Sequence, residues 1–354
     1  MSNAAGQACL ALLVLPLAIS GCASGRRQLP PAPLGVNYMS RYHQYKLSDE
    51  ELDKDFTRFS RDGVNIINLS LYWYRLEGPE KGKRHPEFIQ DIRHVIDLAN
   101  AHGLMVLVTM HTLWGEKDSE WCTPPFAVCR ETGKNVGAAI YTEQDVKADF
   151  LATYEWMVSQ VGQPPGLVGY CMLNEPWYWP HEDWKKESFV DLIRKQKGVH
   201  ERLTPDALTL IRFVNHHTWN GTKNIFAEDW DYDRRIMNCL DVVGLNFYYR
   251  EKRADANRGC LETNVKRLAQ MGKRVLITEF GSPAADPAEK TDVYRKTLEA
   301  FRGVQPPLLG WMAWMWCSQD WSPSGNDTHN ICDPKTGGPV GAYEYMISVP
   351  PVRR

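Results

Sequence analysis

Beyond residue 33 the chain alternates short apolar runs with amphipathic stretches, the pattern of strands and helices traded along a parallel sheet. Eight runs read as strands: 34–38, 65–73, 104–111, 167–174, 207–213, 242–248, 274–279 and 308–316, the fifth being the weakest. Helix signals fill the gaps. Ser48 followed by Glu51 makes a capping box, in which the Ser oxygen takes the Glu51 amide and the Glu51 side chain reaches back. The helix it opens should run to about Arg61 and stop at Gly63. Pro86 suits a first helical position, where its missing N–H costs nothing. The helix it starts carries Phe88, Ile92, Val95, Ile96 and Ala99 on one face and is closed by Gly103. Thr142 opens another, with Phe150, Tyr154 and Met157 inward, and amphipathic stretches cover 184–202, 264–271 and 286–302. The acidic and aromatic run 228–233 reads as a solvated loop. Eight strand–helix units predict an α/β fold, a single (β/α)8 TIM barrel over residues 34–350, within the ~200 to 400 residues typical of it. An open doubly wound sheet is the other architecture, but no Gly-rich phosphate turn follows the first strand.

The N-terminus lies outside this pattern. The apolar run 10–19 is too short to cross a bilayer as a helix and has the length of a signal-peptide core. It leads into Ile19-Ser20-Gly21-Cys22, which resembles a bacterial lipobox with Cys22 as the lipidated residue. Residues 1–22 are therefore expected to be a signal peptide with lipobox and 23–33 a linker. The protein would be exported, as a lipoprotein of the bacterial cell envelope or a secreted protein, and a monomer is expected. No Lys or Arg precedes the apolar run.

Composition changes this picture in two places. With 41 Lys and Arg against 43 Asp and Glu, the formal net charge of -2 gives no electrostatic case for nucleic acid or an anionic membrane surface. Nine cysteines suit an oxidising compartment. Outside the export segment, Cys122 and Cys129 share a loop, Cys239 and Cys260 flank one strand, and Cys317 and Cys332 flank one loop. Three local disulfides are expected, with Cys171 left as a buried thiol. No Cys-x-x-Cys pair exists and no His stands at ligand spacing from these cysteines, which argues against zinc. Nothing in the chain asks for a metal or cofactor.

In a barrel of this kind chemistry sits at the C-terminal ends of the strands. The residues there are Asn37, Trp73, His111, Asn174, Glu175, Asn246, Tyr248, Glu279, Trp314 and Trp316. Two are glutamates ending apolar runs, in Asn174-Glu175-Pro176 on strand four and Thr278-Glu279-Phe280-Gly281 on strand seven. Cleaving a glycosidic bond needs such a pair: a protonated carboxyl for the leaving oxygen and an ionised one to attack the anomeric carbon, ~5–5.5 Å apart in the retaining geometry. Trp314 and Trp316 fall on the same face of strand eight if alternation holds; Trp314 is favoured for stacking on sugar, and the other would pack. Trp177, Tyr178, Trp179 and His181 crowd the loop after Glu175, and His216, His217 and Trp219 follow strand five; both groups suit either a sugar platform or loop packing.

These motifs resemble the clan of retaining (β/α)8 glycosidases with glutamates on strands four and seven, and within it the cellulase-type glycoside hydrolase family 5. The resemblance implies Glu175 as general acid and then base, Glu279 as nucleophile, and Asn174 on the sugar 2-hydroxyl. It further implies Tyr248 on the nucleophile, His111 at the end of strand three, Asn246 in the sixth-strand motif, and Trp314 beneath the sugar. Ser324-Gly325-Asn326-Asp327-Thr328 is similar to a Ser-Gly-Asp-Thr loop of the family with one residue inserted. The implied partner is a β-linked oligo- or polysaccharide of gluco- or manno-configuration. The chain departs from the family on strand two, where Asn68 and Ser70 stand in the region of an expected arginine; Arg212 or Arg250 could compensate. Its Asn-Phe-Tyr on strand six is closer to other families of the clan. A catalytically silent glycan-binding barrel and an exo-acting β-glycosidase of another family are the alternative readings. The long loop 113–141 could wall one end of the cleft.

Overall fold

The computed structural model describes residues 25–38, 48–111, 123–130, 134–135, 139–176, 183–214, 229–249, 254–316, 329–333 and 338–352. The strands are β1 (Leu34–Tyr38), β2 (Ile66–Tyr72), β3 (Met105–His111), β4 (Leu167–Asn174), β5 (Leu208–Val214), β6 (Val242–Phe247), β7 (Val275–Phe280) and β8 (Trp311–Trp316). They pair in parallel, each with its sequence neighbour, and β8 closes on β1. The expected (β/α)8 barrel is thus formed, from the runs that the apolar pattern marked.

Helices separate the strands: α1 (Asp49–Arg61), α2 (Pro86–Ala101), α3 (Gln144–Val161), α4 (Asp183–Leu203), α5 (Trp230–Met237), α6 (Ala254–Gln270), α7 (Pro287–Gly303) and, after β8, α8 (Gly341–Ser348). The capping box is present: the Glu51 amide donates to Ser48 Oγ at 3.3 Å, and the Ser48 amide donates to Glu51 Oε2 at 3.2 Å. Such a cap contributes about 1 kcal/mol. Ile92, Val95, Ile96 and Ala99 of α2 face the barrel, with Ile89 buried beside them where Phe88 was expected. Phe150, Tyr154 and Met157 of α3 are buried as expected.

Two segments depart from the sequence reading. The run expected as a solvated loop forms α5 from Trp230 on. Asp229 caps it by accepting from the Tyr232 amide, and Tyr232 and Asp233 are buried. Burial pushes the Asp233 carboxyl up to about 7, with Arg267 opposing. Helix α6 begins ten residues before the expected 264, because its early inward positions include Asn257 and Cys260, which carry little apolar signal.

The expected Cys239–Cys260 bridge is not formed. Cys239 Sγ donates along its own chain to Arg235 O at 3.5 Å, and Cys260 Sγ accepts from Asn264 Nδ2 at 3.5 Å. Each thiol is thus occupied one helical turn away, not turned toward the other. Cys129 and Cys332 are also buried thiols, while their expected partners Cys122 and Cys317 lie outside the described residues. Cys171 is a buried thiol in β4, as expected.

From Arg26 onward the stretch read as a linker lies against the barrel. The Arg27 guanidinium donates to Pro164 O at 2.7 Å, to Gln163 O at 2.7 Å and to Leu167 O. Arg26 pairs with Asp241. Leu29 packs on the apolar floor made by Ile66, Leu107, Val168, Leu208, Val242, Leu276 and Met312, near the N-terminal ends of the strands.

Between α3 and α4, His200 is 1 % exposed and neutral. Tyr154 Oη donates to its Nε2 at 2.6 Å, and its Nδ1 bonds Thr204 Oγ1 at 2.7 Å. Burial lowers its pKa to about 3. An unfolded histidine titrates near ~6.5, so the unfolded chain takes up a proton that the folded chain refuses. This contribution to stability is present above the unfolded value and is lost as pH falls toward the folded one, by up to about 1.4 kcal/mol per pH unit. Urea unfolding between pH 6.5 and 4.5 is expected to show His200→Gln with a shallower acid loss than the parent, by about one proton. Equal slopes would contradict this.

Candidate active site

Above its apolar floor the barrel is filled by a connected polar layer. Asn37 Nδ2 donates to Thr278 O at 2.9 Å and Ala313 O at 3.0 Å, tying β1 to β7 and β8. Asn68 Nδ2 donates to Asn37 Oδ1 at 3.0 Å, and Thr109 Oγ1 donates to Asn68 Oδ1 at 2.6 Å. Arg212 reaches Thr109 Oγ1 at 3.5 Å and Thr278 O at 3.3 Å. Thr278 Oγ1 donates to Asn246 Oδ1 at 2.8 Å. A buried polar network is rigid when its members are satisfied and costly when they are not. This one fixes the strand ends on which the two glutamates stand.

Glu175 follows β4 directly, with φ at 42°. That is the left-handed region, uncommon for a non-glycine residue and found at sites where the surroundings hold the backbone. Its amide donates to Arg212 O at 2.7 Å. Asn246 Nδ2 donates to its Oε1 at 2.8 Å. Glu279, near the end of β7, is 3 % exposed. It forms an ion pair with the Arg212 guanidinium. Tyr248 Oη donates to its Oε2 at 2.7 Å. Gly281 of the same motif has no room for a side chain: a Cβ there would lie 2.4 Å from Trp314 O.

Burial pushes the Glu175 carboxyl above its ordinary range, with Asn246 and Arg212 opposing. It raises Glu279 as well; Arg212, Tyr248 and Asn246 pull that carboxyl back, and the charge of Glu175 pushes it further up. Two neighbouring carboxyls of this kind titrate as a unit and share one proton over a range of pH. Among the described residues the cation and the phenol donate to Glu279, whereas Glu175 receives one side-chain amide N–H. These partners favour the anion on Glu279 and the proton on Glu175. The Asn246 amide donates to Glu175, and Asn246 pairs in register with Glu279 across β6 and β7.

The sequence-named residues divide into those brought together here and those that are not. Asn174, Glu175, Asn246, Tyr248 and Glu279 meet, with Asn246 Nδ2 also 3.5 Å from Asn174 Oδ1. Trp314 sits over the Arg212 guanidinium, 5.9 Å from its ring centroid, and is 7 % exposed. Trp316 is not in the site. Its ring packs edge-on against Phe59 at 4.8 Å and Tyr343 at 5.1 Å, outside the barrel, under α1 and α8. Strict alternation had put it beside Trp314, and the peptide between Trp314 and Met315 is cis. Trp73 is also structural: it is buried against Phe126 and Phe150, and its Nε1 donates to Glu77 Oε2 at 2.6 Å. His111 ends β3, paired with Tyr72, and its side chain lies outside the described set. Trp177, Tyr178, Trp179, His181, His216, His217, Trp219, Arg250 and the loop 324–328 likewise lie outside the described residues. Thr109 and Thr278 were not singled out from sequence. Their signal was a polar residue within an apolar strand two residues before its end.

Residues 33–320 match the family model described as "Cellulase (glycosyl hydrolase family 5)". No curated protein matches the chain in sequence. Among solved structures, the fold is similar to the exo-β-1,4-mannosidase Op5Man5 of Opitutaceae bacterium strain TAV5, with TM-score 0.71 and 17% identity over 92% of this chain. This chain spans only 60% of that one. It is similar to a subfamily 18 member of family 5 from Streptomyces cattleya in complex with Manb1-4GlcNAc, with TM-score 0.69 and 15% identity, covering 90% of this chain and 80% of that one. It is also similar to the hyperthermostable endo-1,4-β-D-mannanase of Thermotoga petrophila RKU-1, with TM-score 0.66 and 15% identity, covering 92% and 99%. At these identities the structural likeness speaks for the barrel alone.

Proposed function

The chain belongs to the cellulase family, glycosyl hydrolase family 5, and is a glycosidase; we propose that it retains anomeric configuration by double displacement on a β-linked gluco- or manno-configured glycan. In the first step Glu279 attacks the anomeric carbon and forms a glycosyl ester. Glu175 gives its proton to the leaving oxygen as the glycosidic bond breaks. The ester removes the charge of Glu279, so Glu175, now ionised, takes a proton from water. That water attacks the anomeric carbon, the ester bond breaks, and Glu279 leaves as carboxylate. Tyr248 would hold Glu279 in line, Asn174 would meet the sugar 2-hydroxyl, and Trp314 would offer its ring to the apolar sugar face.

The observation that carries this reading is the buried pair Glu175 and Glu279 at the ends of β4 and β7, joined through Asn246, which donates to Glu175 and pairs in register with Glu279. In the retaining geometry such carboxyls stand ~5–5.5 Å apart, so that the nucleophile reaches the anomeric carbon directly. Three of the structural neighbours carry manno-configured names or ligands, which puts β-mannosides first in a substrate screen beside β-glucosides and β-galactosides. A 2-deoxy-2-fluoro β-glycoside with an activated leaving group is expected to add one glycosyl mass to the protein, on Glu279. A glycan-binding barrel without activity would show no added mass, and an adduct on any other residue would overturn the assignment.

The apolar run 10–19 and Ile19-Ser20-Gly21-Cys22 support export and lipidation at Cys22. Metabolic labelling with a fatty acid, lost in Cys22→Ala, tests this.

A further inference from the structure

Arg212 is the one arginine among the buried described residues, 1 % exposed, and its side chain crosses the barrel from β5 to β7. Its bonding is uneven. The Nη groups meet Glu279, Thr278 O and Thr109 Oγ1, while the buried Nε has no partner. A guanidinium placed only to join strands would be expected to fill its fork; this one leaves a donor empty and points its charge at a carboxylate. The main chain of the same residue serves the other glutamate: Arg212 O accepts from the Glu175 amide at 2.7 Å, and Arg212 pairs in register with Asn174. Trp314 lies over the guanidinium. On β2, Asn68 and Ser70 bond one another at 3.1 Å, and Asn68 also meets Asn37 and Thr109, so that strand supplies no cation.

We propose that Arg212 is the positioning residue of this site: from β5 it keeps Glu279 ionised and fastens both glutamates, taking the place of a cation on β2. The inference rests on the double-displacement reading above. The groups facing Glu279 are few enough to isolate the effect. Among the described residues they are Arg212 from β5, Glu175 from the end of β4, Tyr248 after β6 and the neutral Asn246, with the His329 ring against that of Tyr248, centroids 5.7 Å apart. Arg212 is the only cation in that set.

The acid limb of kcat/KM against pH reports the ionisation of the attacking group in the free enzyme. On an activated aryl glycoside, Arg212→Met is expected to lower kcat by about 10²–10³-fold, a range typical for removing one electrostatic contact to a reacting group. KM should change little, and the acid limb should move up by about one pH unit or more. Arg212→Lys should keep the limb closer to the parent while still losing rate, because an ammonium cannot reproduce the fork. Added guanidinium ion should restore part of the rate to Arg212→Ala. A merely structural role would lower the melting temperature and the active fraction but leave the limb of the surviving activity in place; that result in both Met and Lys variants would overturn the proposal. If Arg212→Met fails to fold, Arg212→Ala decides: an acid limb unshifted from the parent, with no rate restored by guanidinium ion, counts against it. Near-parental activity in Glu279→Ala would instead overturn the underlying mechanism, so the two failures are distinguishable.

Discussion

Glu279→Ala is expected to lower kcat by roughly 10⁴–10⁶, the scale seen when a covalent nucleophile is removed while binding groups remain. Truncation leaves a space of about carboxylate size that still faces the Arg212 guanidinium and the Tyr248 hydroxyl. Azide is small, anionic and nucleophilic, and it suits that space. It should restore turnover of an activated β-glycoside by attacking from the face that Glu279 occupied, and the product should be the α-glycosyl azide. Proton NMR of the anomeric signal checks this directly. A β-azide, or near-parental activity without azide, would show that Glu279 does not attack.

Glu175→Ala should give a different signature, because it leaves the nucleophile and its cation intact. The loss in kcat/KM should depend on the leaving group: small for a dinitrophenolate that departs without a proton, and about 10²–10⁴ for an ordinary sugar hydroxyl, the span of general acid–base catalysis. With no base to activate water the ester should accumulate, so KM for the activated substrate should fall and a burst of phenolate should precede steady state. Azide now enters after the ester forms, from the opposite face, and the product should be the β-glycosyl azide. The alkaline limb of kcat/KM should disappear in this variant. The parent is expected to lose activity as pH rises and Glu175 gives up its proton; burial raises that carboxyl and so moves the limb toward higher pH. A leaving-group-independent loss would contradict the assignment.

The barrel was legible because each strand, buried on both faces, must be a near-continuous apolar run. The fourth run, 167–174, has the bounds of β4. The two glutamates were legible because each ends such a run. Arg212 was harder to read: a charge within the weakest run marks β5 as doubtful, when that same charge is what the strand carries to the site. Its partner lies two strands away across the interior, a distance that residue spacing along the chain does not encode. Trp316 shows the reverse error. Alternation gave it a face, but which face is filled by α1 and α8 depends on packing. Helix α5 was hidden because its buried positions include Tyr232 and Asp233, and a buried aspartate reads as surface until its arginine is seen.

The docking of Arg26, Arg27 and Leu29 on the barrel floor sets the posture of the whole enzyme. Both glutamates open at the opposite end. If Cys22 carries lipid as proposed, three residues separate it from Arg26, a leash of about 14 Å over four fully extended steps. So short a leash would stand the barrel upright on its floor, its mouth turned away from the bilayer toward glycans arriving from the surrounding medium and not toward the membrane's own headgroups.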